Sequence, residues 1–255
     1  MNPEIGVVLS GGGIRAAAHI GVLQVLNENG IFPSVISAAS GGAIVGALYC
    51  GGYEPRKIFE LCEEHDFLKI FKIGLLYKNF TELTHLKTFL ETHLLQKEFE
   101  HLLIPLYISV CNLNSRKNEI ISDGHIIPYL MGSCSIPVLF RPVLINDQMY
   151  VDGGLINDLP IEPLEDKELK ILGVNTCGHG YKSEVLGMRH VAERSLQMSI
   201  WNNTKVRLEK CHYALDLRDT FIYGLFDIKK SEELFNIGYN TAQKHMSQIL
   251  DKLKS

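Results

Sequence analysis

The first fifty residues alternate twice between a short apolar run and a longer amphipathic one. Ile5 to Leu9 is continuous and rich in β-branched side chains, as a buried strand requires. "SGGG" follows, then a stretch in which Ile20, Val22, Leu23, Val25 and Leu26 share one helical face until Gly30 stops it. The pattern repeats with a strand from about Ser34 to Ala39, a turn at Ser40 and a helix from Gly41 to Cys50, stopped by "GGY". Two strand-turn-helix units in succession predict a parallel sheet with helices on its faces.

Further strands are predicted at 106–113, 118–122, 148–152, 169–175 and 212–217, with helices in the intervals. The longest helices are expected near 184–211 and at the end of the chain, where Ser231 is placed to cap a helix whose Ala242, Met246, Ile249 and Leu253 recur at helical spacing. No repeat, low-complexity tract or linker interrupts the pattern, so the expectation is one α/β domain over 1–255.

Composition narrows the classes. With 255 residues, 46% hydrophobic and 21% charged, the chain can bury a full core. A net charge of −4 gives no global electrostatic case for a nucleic-acid partner, and none is expected. "MNPEIGVVLSGGG" has neither the basic nor the apolar region of a secretory signal, and no apolar run reaches the ~18 residues of a membrane span. The sequence therefore reads as cytoplasmic. Cys50, Cys62, Cys111, Cys134, Cys177 and Cys211 are scattered, without a CxxC or a Cys/His cluster, so they are expected to be reduced thiols with no metal and no disulfide framework.

Three stretches carry candidate chemistry. Ala38-Ala39-Ser40-Gly41-Gly42 is the G-x-S-x-G turn of a nucleophile elbow with its first glycine replaced by alanine. Such a turn pushes the serine out at the sheet edge, with a helix N-terminus behind it. The plainer alternative makes Ser40 the N-cap of the helix. Gly11, Gly12 and Gly13 leave backbone N–H groups unobstructed, which suits a phosphate or an oxyanion. A dinucleotide site would want a third spaced glycine, where Ala16 stands, and an acid at the end of the second strand, which ends in Ala38-Ala39-Ser40. A P-loop fails for want of G-K-[ST], so a nucleotide-binding module would rest on "SGGGIR" alone. Asp152 ends a strand and precedes two glycines, a setting for a carboxylate held at a sheet edge; as a dipeptide, Asp-Gly also signals a hairpin turn.

Taken in order, "SGGGIRAAAHIGVL", the serine turn, "SCSIPVLFRPV" at 133–143 and "YVDGGLINDLPI" resemble the patatin-like phospholipase family from about Ile5 to Pro163. The resemblance implies a three-layer α/β/α fold around a mostly parallel sheet, and a cofactor-free acyl hydrolase acting on phospholipid or other acyl esters through a Ser-Asp dyad. Ser40 matches the family nucleophile and Asp152 the general base. Gly11, Gly12 and Gly13 match the oxyanion-hole loop, and Arg15 the basic residue beside it. Ala38 and Ala16 stand where the family usually has glycine; each adds one methyl, which bears on activity more than on fold. An elbow so altered that catalysis is lost would leave a lipid- or acyl-binding protein, but retention of both Ser40 and Asp152 favours the hydrolase.

Two further features stay open. His179 in "NTCGHGY" completes the order Ser, Asp, His of α/β-hydrolases and is the alternative base, although the resemblance argues for a dyad. The segment 67–80, "FLKIFKIGLLYKNF", joins nine apolar residues to three lysines and no acid. It suits peripheral contact with an anionic membrane or a lid over an acyl chain; a cap helix packed on the core is the plainer reading and the one preferred. "SCSIPVLF" reads as a wall of an acyl pocket, although ordinary core packing would use the same residues.

Overall fold

The computed structural model describes residues 4–64, 83–178, 180, 187–225 and 228–254. Its strands are β1 (Glu4–Leu9), β2 (Val35–Ala39), β3 (Leu106–Asn112), β4 (Lys117–Ile121), β5 (Val143–Ile145), β6 (Gln148–Asp152), β7 (Leu169–Asn175) and β8 (Tyr213–Asp216). They form one sheet in the order β5-β6-β3-β2-β1-β7-β8, with β4 paired to β3 off this path. From β3 to β8 through β2, β1 and β7 all pairing is parallel, and β4, β5 and β6 join antiparallel.

Helices cover both faces. Among the described residues they are α1 (Ala17–Glu28), α2 (Ser40–Cys50), α3 (Pro55–Glu64), α4 (Thr84–His93), α5 (Ile126–Ser133), α6 (Glu162–Glu165), α7 (Gly187–Leu208) and α8 (Ser231–Lys254). Alternation along β1 divides the core: Val7 and Leu9 enter the large cluster built with α1 to α5 and α8, whereas Val8 enters a smaller one with Leu159, Ile161, Leu164 of α6 and Leu208 of α7. A strand apolar on both faces is the signature of a sheet buried between two helical layers. Each such aliphatic side chain contributes about 1.5–3 kcal/mol by leaving water. This is the three-layer α/β/α arrangement expected from the sequence.

The hydrophobic pattern predicts β6 but not its hairpin partner β5. Its signal is the turn: Asn146 and Asp147 have φ of 47° and 60°, and Ile145 pairs with Gln148 across them. Two central residues with positive φ make a type I′ turn, for which Asn and Asp are suited. The Asp-Gly pair at 152–153 is not a hairpin turn; it opens a short 3-10 turn at Gly153–Leu155.

The register around β3 positions everything that follows. β2 pairs with Leu106 to Ser109, β4 with Ile108 to Asn112, and β6 with Val110 to Asn112. A strand has only two edges, so β2 and β6 share the edge opposite β4. They run toward each other along it. Ala39, the last residue of β2, faces Ser109, and Asp152, the last of β6, faces Val110. The two strand ends therefore meet head to head.

Candidate active site

Ser40 stands directly after β2 with φ of 48°, a left-handed value that a side chain with Cβ adopts at a cost of about 1–3 kcal/mol. It is held there from behind. Its N–H donates to Ser133 Oγ at 2.8 Å, and the Ser133 hydroxyl donates to the Ser109 carbonyl at 2.8 Å. The N-cap of α2 is Ala39, so Ser40 is not a capping residue. Its hydroxyl instead donates to Asp152 Oδ2 at 2.7 Å.

Close approach explains the glycines after the serine. A Cβ on Gly41 would lie 2.6 Å from the Gly13 carbonyl and 2.9 Å from Ala16 Cβ, and one on Gly42 would strike the Ser10 carbonyl. With both bare, α2 packs its first turn against the glycine loop. Ala16 is accommodated for the same reason: its methyl occupies the space Gly41 leaves.

Asp152 is 7% exposed. Its Oδ1 accepts the Gly154 N–H at 2.8 Å, and its own N–H donates to the Ser135 carbonyl at 3.0 Å. Burial pushes its carboxyl up to about 6, against the opposing pull of the hydrogen bonds from Ser40 and Gly154. A carboxylate in this range is a far better proton acceptor near neutrality than one in water.

The glycine loop is pinned from the opposite side. Thr176 donates through its N–H to Ser10 Oγ at 2.9 Å and through its hydroxyl to the Gly11 carbonyl at 2.8 Å. Fully buried His19 reaches the Ser10 carbonyl with Nε2 at 2.8 Å; that partner only accepts, so Nε2 carries the proton. Burial lowers this histidine to about 4 and keeps it neutral. Gly12 and Gly13, at φ of 147° and 60°, line the cavity beside Ser40, and no partner for either N–H occurs among the described residues.

Two of the residues expected at the oxyanion hole direct hydrogen-bond donors to other partners. The Gly11 N–H is already committed to Asp158, at 3.1 Å to Oδ1 and 3.3 Å to the backbone oxygen. Arg15 turns its Nε and Nη2 to the Tyr223 carbonyl, at 2.9 and 2.5 Å, which ties the segment before α8 over the loop. His179 and the segment 67–80 lie outside the described residues.

Ser40 and Asp152 open onto a cavity of about 450 Å3 whose apolar wall includes Ile136, Leu139, Leu155, Leu196, Ile200 and Leu225. The stretch 136–139 contributes four consecutive lining residues, so "SCSIPVLF" is a pocket wall as well as a source of core contacts. Val138 at its rim is 72% exposed with φ of 71°, an outlier for a β-branched residue. Sequence reading missed Ser133, which props the elbow, and Asp158, which occupies the cavity wall. Both lie within stretches already marked as motifs. Among the described residues no group of His, Cys, Asp and Glu converges to hold a metal, and no helix is long and apolar enough to cross a membrane.

Fold and site together define a three-layer α/β protein in which a buried Ser-Asp pair opens onto an apolar cavity. The chain belongs to the patatin-like phospholipase family, whose model matches residues 7–165. It is 29% identical to lysophospholipase NTE1 of Kluyveromyces lactis over 284 residues, covering 97% of this chain and 19% of that protein. It is 32% identical to lysophospholipase NTE1 of Saccharomyces cerevisiae over 172 residues, covering 62% of this chain and 10% of that protein. The chain thus spans at most about a fifth of the length of these relatives. Among solved structures it resembles VipD from Legionella pneumophila, with a TM-score of 0.56 at 16% identity over 97% of this chain and 67% of that one. It also resembles human GIVD cytosolic phospholipase A2 in complex with methyl gamma-linolenyl fluorophosphonate, with a TM-score of 0.51 at 13% identity over 99% of this chain and 58% of that one. At these identities the likeness is one of fold.

Proposed function

We propose that this protein is a lipid acyl hydrolase, of lysophospholipase type, that cleaves acyl esters through a Ser40 acyl-enzyme with Asp152 as the general base. One observation carries this reading: a strained, buried serine donates its hydroxyl proton at 2.7 Å to a desolvated carboxylate on the floor of an apolar cavity.

The steps follow from these groups. Asp152 accepts the Ser40 proton as Oγ attacks the ester carbonyl carbon. Negative charge on the carbonyl oxygen is met by the N–H groups of Gly12 and Gly13. The tetrahedral intermediate collapses, the bond to the alcohol breaks, and Asp152 returns the proton to the departing oxygen. A water then gives its proton to Asp152 and attacks the acyl carbon. The bond to Oγ breaks, Ser40 recovers the proton, and the free acid leaves. The apolar wall favours a fatty acyl chain, and the relatives' names point to a lysophospholipid as the ester that presents it.

The test is covalent labelling by a fluorophosphonate bearing an acyl chain, combined with release of fatty acid from lysophosphatidylcholine micelles. Wild-type protein should be labelled on Ser40 and should release fatty acid, and S40A should do neither. A folded wild-type protein that resists the label and leaves the micelles intact would overturn the reading.

A further inference from the structure

The cavity wall holds a second buried carboxyl group to which the steps above assign no task. Asp158 is 2% exposed and lines the same cavity as Ser40 and Asp152. Its Oδ1 accepts the Gly11 N–H at 3.1 Å, and its Oδ2 has no hydrogen-bond partner among the described residues. Its place depends on two bare glycines. A Cβ on Gly11 would collide with Oδ1 and lie 3.1 Å from Ser40 Cβ, so the carboxyl group is next to the elbow. A Cβ on Gly154 would lie 2.7 Å from Asp158 Oδ1 and 3.0 Å from Asp152 Oδ1, so the two carboxyl groups are neighbours across Gly154.

Three ionisable groups face Asp158. Asp152 opposes its negative charge from β6, the Arg15 guanidinium favours it from the glycine loop, and the Cys177 thiol interacts with it from the segment after β7. Burial, and after it Asp152, push the Asp158 carboxyl up to about 7 against the opposing pull of the Gly11 N–H, the Cys177 thiol and Arg15. Asp152 accepts from both the Ser40 hydroxyl and the Gly154 N–H, whereas Asp158 Oδ2 receives no such donor among the described residues, so when the neighbouring carboxyls hold one proton between them it resides mainly on Asp158.

We propose that Asp158 is a positioning residue that works in its protonated form, seating the glycine loop through Gly11 while leaving the cavity beside Gly12 and Gly13 without a fixed negative charge. This rests on the hydrolase reading above. An ionised carboxyl at this place would repel the oxyanion in a water-poor site, where such repulsion is strongest. It would also compete for the positive ends of the loop's N–H groups. The protonated form does neither, and still accepts the Gly11 N–H. Catalysis then requires one proton on the pair: Asp152 without it, Asp158 with it.

Asparagine at 158 imitates the neutral acid permanently. The test measures kcat/KM of wild type and D158N on p-nitrophenyl butyrate from about pH 5 to about pH 9, and Tm over the same range. Wild-type activity should decline above pH ~7, approaching ten-fold per pH unit, and D158N should lack the decline, so that the ratio of variant to wild type climbs with pH. The folded-state value of Asp158 is raised, so its destabilising effect grows as pH rises from about 4 to about 7 and is complete above that. The Tm advantage of D158N should therefore widen over the same interval. Parallel pH profiles in an active wild type, a wild-type profile flat to pH ~9, or a folded D158N inactive at every pH would each overturn the proposal. Failure of the hydrolase reading is recognised separately, by a wild type that hydrolyses no ester at all.

Discussion

Ser40 Oγ and Asp152 Oδ2 lie 2.7 Å apart although 112 residues separate them in sequence. The pairing follows from β3: β2 and β6 approach from opposite directions along one of its edges and stop at adjacent residues, Ser109 and Val110. Each strand end delivers one half of the pair. Neither depends on a mobile loop for its position.

Ser40→Ala should abolish ester hydrolysis while the fold persists. Alanine keeps the Cβ and the N–H that donates to Ser133 Oγ, so only the hydroxyl and its bond to Asp152 are lost. Comparison of circular dichroism with single-turnover acyl release checks this. Wild-type turnover in the purified variant, with contaminating esterase excluded, would contradict it.

Asp152→Asn should cost nearly as much as Ser40→Ala, on the order of 10⁴ in kcat, because residues acting as one unit lose most of the rate singly. His179→Ala should be mild. Measuring kcat/KM for both variants on one soluble ester separates a dyad from a triad: a folded His179→Ala enzyme as inactive as Asp152→Asn would make His179 the base.

Acid should inactivate the enzyme reversibly. Asp152, as the proposed base, works only when ionised, and burial raises it from 3.8 to about 6, so kcat should fall as pH drops through ~6. The stability effect has the opposite sign. A raised carboxyl is destabilising above its folded-state value and relieved below, so acidification from pH ~7 to ~4 should stabilise wild type relative to Asp152→Asn, by an amount on the order of 1–3 kcal/mol. Chemical denaturation of both proteins at the two pH values reads this directly.

Ser133→Ala should weaken both stability and catalysis. It leaves the buried Ser40 N–H and the Ser109 carbonyl without their shared partner, a cost of about 1–3 kcal/mol at a residue already strained at φ of 48°. The loss should appear in kcat more than in KM, because the substrate wall is untouched. An unchanged kcat would show that the elbow holds its shape without this strut.

Ala38→Gly should retain activity within a few-fold and lose about 1 kcal/mol of stability. Ala38 is fully buried, and its Cβ faces Gly46 of α2 in the large core, so removing it costs packing and strand rigidity. A hundred-fold drop in kcat with the fold intact would mean that the elbow is built around that methyl.

The sequence by itself determined the parallel β1–α1–β2–α2 unit, because strand and helix periods are local and each apolar run was long enough to express one. It also marked Ser40, the glycine loop and Asp152, since each is a short pattern that a turn or a close backbone approach demands. Tertiary structure decided what those patterns do. That Ser40 is not a helix cap, that Asp-Gly at 152–153 is not a hairpin turn, and that Gly11 donates to Asp158 depend on which strand ends meet along β3 and on which buried acceptor lies within reach. The raised carboxyls belong to the same category. An aspartate's sequence neighbours say nothing of how much water the completed fold removes, and for Asp152 and Asp158 that desolvation is the largest influence on the proton.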